Sequence, residues 1–414
     1  MPFISSVRGS YGAQGRFART AAQVITTPNS YPTANGNYQL FTTPWDANDT
    51  NLLSASHSGT TFTVPQNIAS VRVLVWGSGA QHYTGRSGTP GDGGFIDAII
   101  PVTPGDKYKV IVAGNGSAFT SQSGGLGGYG IGGGAAQDGN DIGSGGAGSG
   151  FFYAFNSSNT IVSTEAQMFA KGCLVAGGGG TLSGHGMTGT QSNITFSGIS
   201  GVGRDGGRGN NNGGGGGRAS GQGGDSYTNA SNTLNRSGGA DGFGGQYGSD
   251  AYSASYGNGS GGGRGAGGGA SGQGSGGSNG ENSTGTGGRG GLPSGLNSSG
   301  FGRGGSGAGG GGNGSVFNGI KLGGGGGGSH GSPAGAGGWS GGGGSYYEDP
   351  TGGGGGSGAA FGSIITPTLS GWVNPNSVTI NGGNPNSVFG LATTTGKGSS
   401  VNGTGYSGAV VIMW

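Results

Sequence analysis

The chain has 414 residues, of which 118 are glycine, and its formal charge at neutral pH is only +2. Charged residues make up 8% of it and hydrophobic residues 29%, against about 25% and 45–50% in an ordinary globular protein. That balance excludes the highly charged type of disorder and gives no strong electrostatic pull toward nucleic acid or an anionic membrane. Collagen is excluded too, since Gly-Gly pairs break a three-residue register and there are only 14 prolines. Cys173 is the single cysteine, so no intramolecular disulfide and no cysteine-based zinc site can form. No apolar run reaches the length of a membrane span, and the start, MPFISSVRGSYGAQGRF, lacks the apolar stretch of a secretory signal. Synthesis in a cytoplasm without membrane insertion is therefore expected.

Residues 1–56 are polar and broken by Pro28, Pro32, Gly36 and Pro44. They read as an extended docking arm with at most one short strand. Its candidate assembly residues are Ile4, Val7, Arg8, Tyr11, Arg16 and Phe17. The span 57–199 reads as a β-rich core. Thr61 to Val64, Val71 to Trp76, Phe95 to Val102 and Tyr108 to Ala113 have the β-branched, glycine- or proline-bounded look of strands. Their nearly unbroken apolar character predicts cover on both faces. Leu174 to Ala176 is a further strand candidate, and Thr164 to Ala170 is the one stretch suited to a short helix. Ala409 to Trp414 must be buried, and the sheet begun by Val71 to Trp76 is the place for it. Residues 361–414 are thus expected to return and complete the core.

Between these ends lies a tract, 200–360, with glycine runs at 213–217, 309–312, 323–328, 341–344 and 352–356. Fixing a residue's backbone costs about 1–2 kcal/mol, and glycine loses the most freedom. A net hydrogen bond returns only about 0.5–1.5 kcal/mol. The tract is therefore either disordered or ordered by pairing nearly every N–H and C=O. A left-handed threefold helix has no internal hydrogen bonds, so side-chain-free copies can bond to several neighbours. That is the polyglycine II lattice. The expected fold is all-β: a β-sandwich or jelly-roll-like core carrying a polyglycine II bundle, with almost no α-helix.

Interruptions of the tract mark chain reversals and distal loops. Tyr227, Tyr247, Tyr252, Tyr256, Trp339, Tyr346 and Tyr347 sit in them and are the candidate receptor-binding residues, because Tyr and Trp are favoured interface anchors. The alternative is that these rings pack over bundle ends and shield open hydrogen-bonding edges.

Chemistry-bearing motifs are sparse. G-x-G-x-x-G matches lack a strand-to-helix context, and in Thr395-Gly396-Lys397-Gly398 no Ser or Thr directly follows the lysine, so a turn is expected rather than a P-loop. His57, His82, His185 and His330 are scattered, and Asp92, Asp97 and Asp106 suit turns and strand edges better than calcium. Arg289 and Arg303 in RGG contexts are too few for an RNA-binding tail. No catalytic set, metal site or cofactor is expected.

The succession Thr61-Phe62-Thr63-Val64-Pro65, VRVLVWGSGA, Gly91 to Phe95, Val102 to Asp106, Leu174 to Gly180 and Tyr406 to Ile412 resembles the glycine-rich β domain of phage tail-fibre and receptor-binding proteins. It spans most of residues 60–414. The tract is similar to the tip adhesins of T-even-type phages, which carry a polyglycine II sandwich with distal loops. The resemblance implies a virion protein at the tail fibre or tail tip. Its partners would be other virion proteins or copies of itself, and a host surface protein or saccharide, with no chemistry performed. Two rivals stay open: an extracellular filament subunit polymerising through its N-terminal arm, and an ice-binding protein, for which a regular Thr array is lacking.

Overall fold

The computed structural model describes residues 23–26, 37–45, 50–81, 89–114, 130–131, 145–180, 185–196, 198–207, 226–227, 234–236, 315–318, 320–322, 336–339, 355–399 and 406–414. The first nine strands are β1 (Tyr38–Phe41), β2 (Thr61–Thr63), β3 (Ser70–Trp76), β4 (Phe95–Pro101), β5 (Lys107–Ile111), β6 (Ser149–Phe155), β7 (Cys173–Ala176), β8 (Gln191–Phe196) and β9 (Ile199–Arg204). Two short hairpins follow, β10 (Ser226–Tyr227) with β11 (Leu234–Arg236), and β12 (Ser315–Phe317) with β13 (Ile320–Leu322). The last strands are β14 (Gly358–Phe361), β15 (Ile365–Ser370) and β16 (Ala409–Met413). The α-helices among the described residues are α1 (Glu165–Lys171) and α2 (Pro385–Phe389). The protein is all-β, as its composition leads one to expect.

Two antiparallel sheets carry the core. One has the order β1-β16-β3-β4-β15, the other β2-β5-β6-β7-β14-β9-β8. The last strand of the chain sits inside the first sheet, with Val410 opposite Val75 and Val411 opposite Leu74. Alternate residues of β3 explain its unbroken apolar run. Val71, Val73 and Val75 point into the core shared with Phe62, Tyr108, Phe151 and Leu174 of the second sheet. Leu74 and Trp76 point the other way, under Val378, Ile380, Phe389 and Leu391. A strand buried on both faces needs no polar alternation.

Arg72 also lies on that outer face, 2% exposed. Its Nε donates to Asp97 Oδ1 at 2.9 Å and its NH2 to Asp97 Oδ2 at 2.7 Å, and both terminal nitrogens donate to the Thr379 carbonyl. A buried guanidinium is tolerable only when its donors are met in this way. Helix α1 follows local rules: Thr164 caps it by accepting the Gln167 N–H at 3.2 Å, and Gly172 ends it at φ 126°. Its Met168 and Phe169 are buried.

Within the span read as a docking arm, several residues join the core. β1 pairs with β16, and Ile25, Trp45 and Leu52 are buried. Gln23 forms a parallel bridge with Ile68.

Candidate functional site

Six of the central strands present one end to a glycine-rich segment. β3 leaves Trp76 for Gly77, β7 leaves Ala176 for Gly177, and β4, β6, β14 and β16 are entered from Gly94, Gly148, Ser357 and Gly408. The registers Trp76↔Phe95, Trp76↔Ala409, Ser149↔Ala176 and Val175↔Ala359 put these ends on the same side of the molecule.

There the pairing pattern changes. The Gly94 N–H donates to Gly177 O at 2.7 Å, and the Gly178 N–H to Gly337 O at 2.8 Å. Gly356 donates to Gly178 O at 2.9 Å, Gly179 to Ser78 O at 3.0 Å, Gly146 to Gly179 O at 2.7 Å and Gly91 to Gly180 O at 2.9 Å. Residues 177–180 thus bond to five segments: 77–80, 91–94, 145–148, 336–339 and 355–357. A sheet strand has two bonding sides, because its peptide groups all lie near one plane. Bonding to five segments within four residues departs from that two-sided ladder.

Such packing leaves no room for side chains. A Cβ on Gly77 would meet the Gly177 carbonyl, one on Gly177 the Gly356 carbonyl, and one on Gly179 the Gly91 carbonyl, each inside the 3.0 Å limit of real Cβ contacts. These neighbours are backbone and cannot swing away. The few side chains admitted supply bonds or fill gaps. Ser78 Oγ accepts the Ala147 N–H at 2.7 Å. Met187, buried and held at φ 55°, places Sδ 3.3 Å from the Gly177 N–H. His185 Nδ1 accepts the Asp92 N–H at 3.0 Å, and Asp92 Oδ1 accepts the Gly398 N–H at 2.7 Å.

The bundle also anchors both ends of the long glycine tract. Gly207 donates to His185 O at 2.8 Å, Gly355 to Gly207 O at 2.8 Å and Gly337 to Gly146 O at 2.9 Å. In the hairpin β12–β13, Asn318 Nδ2 donates to the Val162 carbonyl at 3.1 Å. Val162 donates to Ala154 O, well along β6 from its glycine end, so this hairpin reaches back onto the sandwich.

The sequence candidates fall unevenly. Trp339 is 3% exposed, with its ring 4.9 Å from Phe361 and 5.8 Å from Phe169. It belongs to the hydrophobic core. Tyr227 pairs with Leu234 in β10–β11. Tyr247, Tyr252, Tyr256, Tyr346 and Tyr347, and the arm residues Ile4, Val7, Arg8, Tyr11, Arg16 and Phe17, lie outside the described residues. Residues 393–396 form a turn, with Thr395 donating to Ala392 O at 3.0 Å. Asp97 and Asp106 are engaged by Arg72 and Lys171. Among the described residues, no three His, Cys, Asp or Glu side chains gather to hold a metal ion, and no helix is long and apolar enough to cross a membrane.

One exposed group escapes the sequence reading. Tyr406, 39% exposed, donates its N–H to Lys397 O at 3.2 Å, and Lys397 Nζ lies 5.4 Å from the Trp372 ring centre. Trp372 is fixed by its Nε1 donating to Thr395 O at 2.8 Å. These residues meet only because a turn and the closing strand converge on the bundle. Spacing along the chain gives no sign of it.

No protein-family model matches the chain, and no curated protein is similar enough in sequence to count as a relative.

Proposed function

We propose that the protein is a phage virion structural protein, a tail-fibre or tail-tip adhesin that binds a host surface without performing chemistry. The observation that carries this reading is the backbone-bonded block at one end of the sandwich. Both ends of the tract that starts after Gly207 are fastened into it. A rigid base with long insertions suits presentation of variable loops, since recognition residues concentrate on loops held by a scaffold. In this reading the block is the root of a polyglycine II bundle that continues into the tract between Gly207 and Gly355, and the sandwich has jelly-roll-like connections.

The test has two parts. Amide exchange should show the bundle glycines protected to nearly the same degree as β3. Labelled full-length protein should bind envelopes of its host bacterium and lose that binding when Tyr346 and Tyr347 become alanine. Unchanged binding in that variant would remove these residues from the recognition face, and unprotected amides at 177–180 would remove the block itself.

A second reading, an extracellular filament subunit, draws on residues 23–26. Gln23 donates to Asn67 O at 2.8 Å, accepts from the Ala69 N–H at 2.9 Å, and leaves Val24 55% exposed. A strand added mainly through its backbone can be supplied by a neighbouring copy. Electron microscopy decides: fibres that vanish on deleting residues 1–30 favour this reading.

A further inference from the structure

We infer that β8 is the seam of a two-fold symmetric homodimer, in which the seven-stranded sheet continues through a second copy of this chain. The inference does not depend on the adhesin reading. It starts from the four sheet edges. An open edge carries unpaired N–H and C=O groups, and proteins protect such edges with brevity, proline, charge or bulges. β1 has four residues and β2 three, with Pro65 close behind β2. β15 contains Pro367 and a register break between Ile365 and Thr368. β8 has six residues, Gln191-Ser192-Asn193-Ile194-Thr195-Phe196, with no charge, no proline and an unbroken register against β9. Among the described residues no strand pairs with its outer side. It also projects: β15 packs against β9 and β14, and β8 lies one strand further out.

A second copy of the chain fits the pattern of faces. Gln191, Asn193 and Thr195 are exposed, while Ser192 and Ile194 are half-buried and Ile194 packs against the core. Residues directly opposite each other in an antiparallel pair share a face. With Asn193 on the two-fold axis, Gln191 faces Thr195 of the second copy and Ser192 faces Ile194. Exposed residues then meet exposed ones and inward residues meet inward ones. Amide and hydroxyl groups line the outer row, and no like charges oppose each other across the axis. An isologous interface requires this self-complementarity.

The experiment uses the full chain. Light scattering after size exclusion should give twice the chain mass. Because Cys173 is fully buried, an introduced cysteine is the only accessible thiol among the described residues. Asn193→Cys should give a disulfide-linked dimer on mild oxidation, since opposed Cα atoms about 4.5–5.5 Å apart suit the bond. Gln191→Cys alone should not, but mixed with Thr195→Cys it should. Asn193→Lys, on the exposed face, should yield monomer with an unchanged circular dichroism spectrum. A monomeric wild type overturns the inference. So does a dimer that survives Asn193→Lys or links through Gln191→Cys alone.

Discussion

Gly77 and Gly177 approach so closely that neither has space for a methyl group. The Gly177 carbonyl occupies the position of a Cβ on Gly77, and the Gly356 carbonyl occupies that of a Cβ on Gly177. The three segments are therefore mutually limiting: widening one contact breaks hydrogen bonds in the next. Gly177→Ala should destabilise the protein by about 1–3 kcal/mol or more, the range for forcing atoms into a packed interior. Gly59→Ala is the control. Its added Cβ would meet only the His57 ring, at 3.2 Å, and a side chain can turn aside. Urea denaturation midpoints compare the two, and equal midpoints would show the bundle to be loose.

Trp339 tests the assignment of an aromatic to the core. Phe169, Trp339 and Phe361 form a closed triangle of rings, with Phe169 4.9 Å from Phe361. Trp339→Ala should cost about 3–5 kcal/mol, as for other large buried aromatics. Trp339→Phe should recover part of that loss. A stable Trp339→Ala variant would contradict the burial.

Arg72 and Asp97 give a prediction about buried charge. Removing one partner leaves the other desolvated, which costs about 3–5 kcal/mol, while replacing both with apolar groups of similar volume is often neutral. Asp97→Ala should therefore lower stability strongly. Arg72→Met combined with Asp97→Leu should recover most of the loss. A double-mutant cycle by chemical denaturation measures the coupling.

These tests bear on residues that the sequence reveals to different degrees. The strands around Val73, Ile99 and Val411 are legible because two-sided burial writes a continuous β-branched run. Helix α1 is legible because Thr164 to Ala170 contains no glycine or proline. β8 and β9 are not, since Gln191 to Arg204 is polar and glycine-rich and depends on the ladder from β14. β1 is hidden in a polar stretch and is fixed by its pairing with β16. The bundle shows the same limit more sharply. Glycine content predicts backbone-to-backbone packing, but a glycine has no side chain to specify its neighbour. Nothing in the sequence says that Gly178 bonds to Gly337 and Gly356. The described bundle also draws on residues 77–80, 91–94, 145–148 and 177–180, ahead of the 200–360 tract where glycine is densest.

Tyr108 supplies the pH dependence. Its side chain is buried, stacks on Phe151 at 4.6 Å and donates its hydroxyl to the Lys171 carbonyl at 3.0 Å. Burial, then the nearby Asp106 carboxylate and Tyr153, push its ionisation well above the usual value of 10.0. The folded state therefore holds this proton more tightly than the unfolded chain does. The resulting stability is fully present below pH ~10 and is lost as pH rises above that value, where only the unfolded chain releases the proton. The urea midpoint should fall steeply above pH ~10, and the share of the tyrosinate absorbance that Tyr108→Phe removes should appear only with unfolding. Tyr108→Phe should lose about 1 kcal/mol at neutral pH from the missing hydrogen bond, yet decline less steeply in alkali. Tyr153 is raised in the same direction by burial and Asp106, so Tyr153→Phe serves as the comparison. Because Tyr108 sits deeper, most of the alkaline slope should disappear with Tyr108→Phe. If both variants kept the wild-type slope, the alkaline transition would belong to other groups.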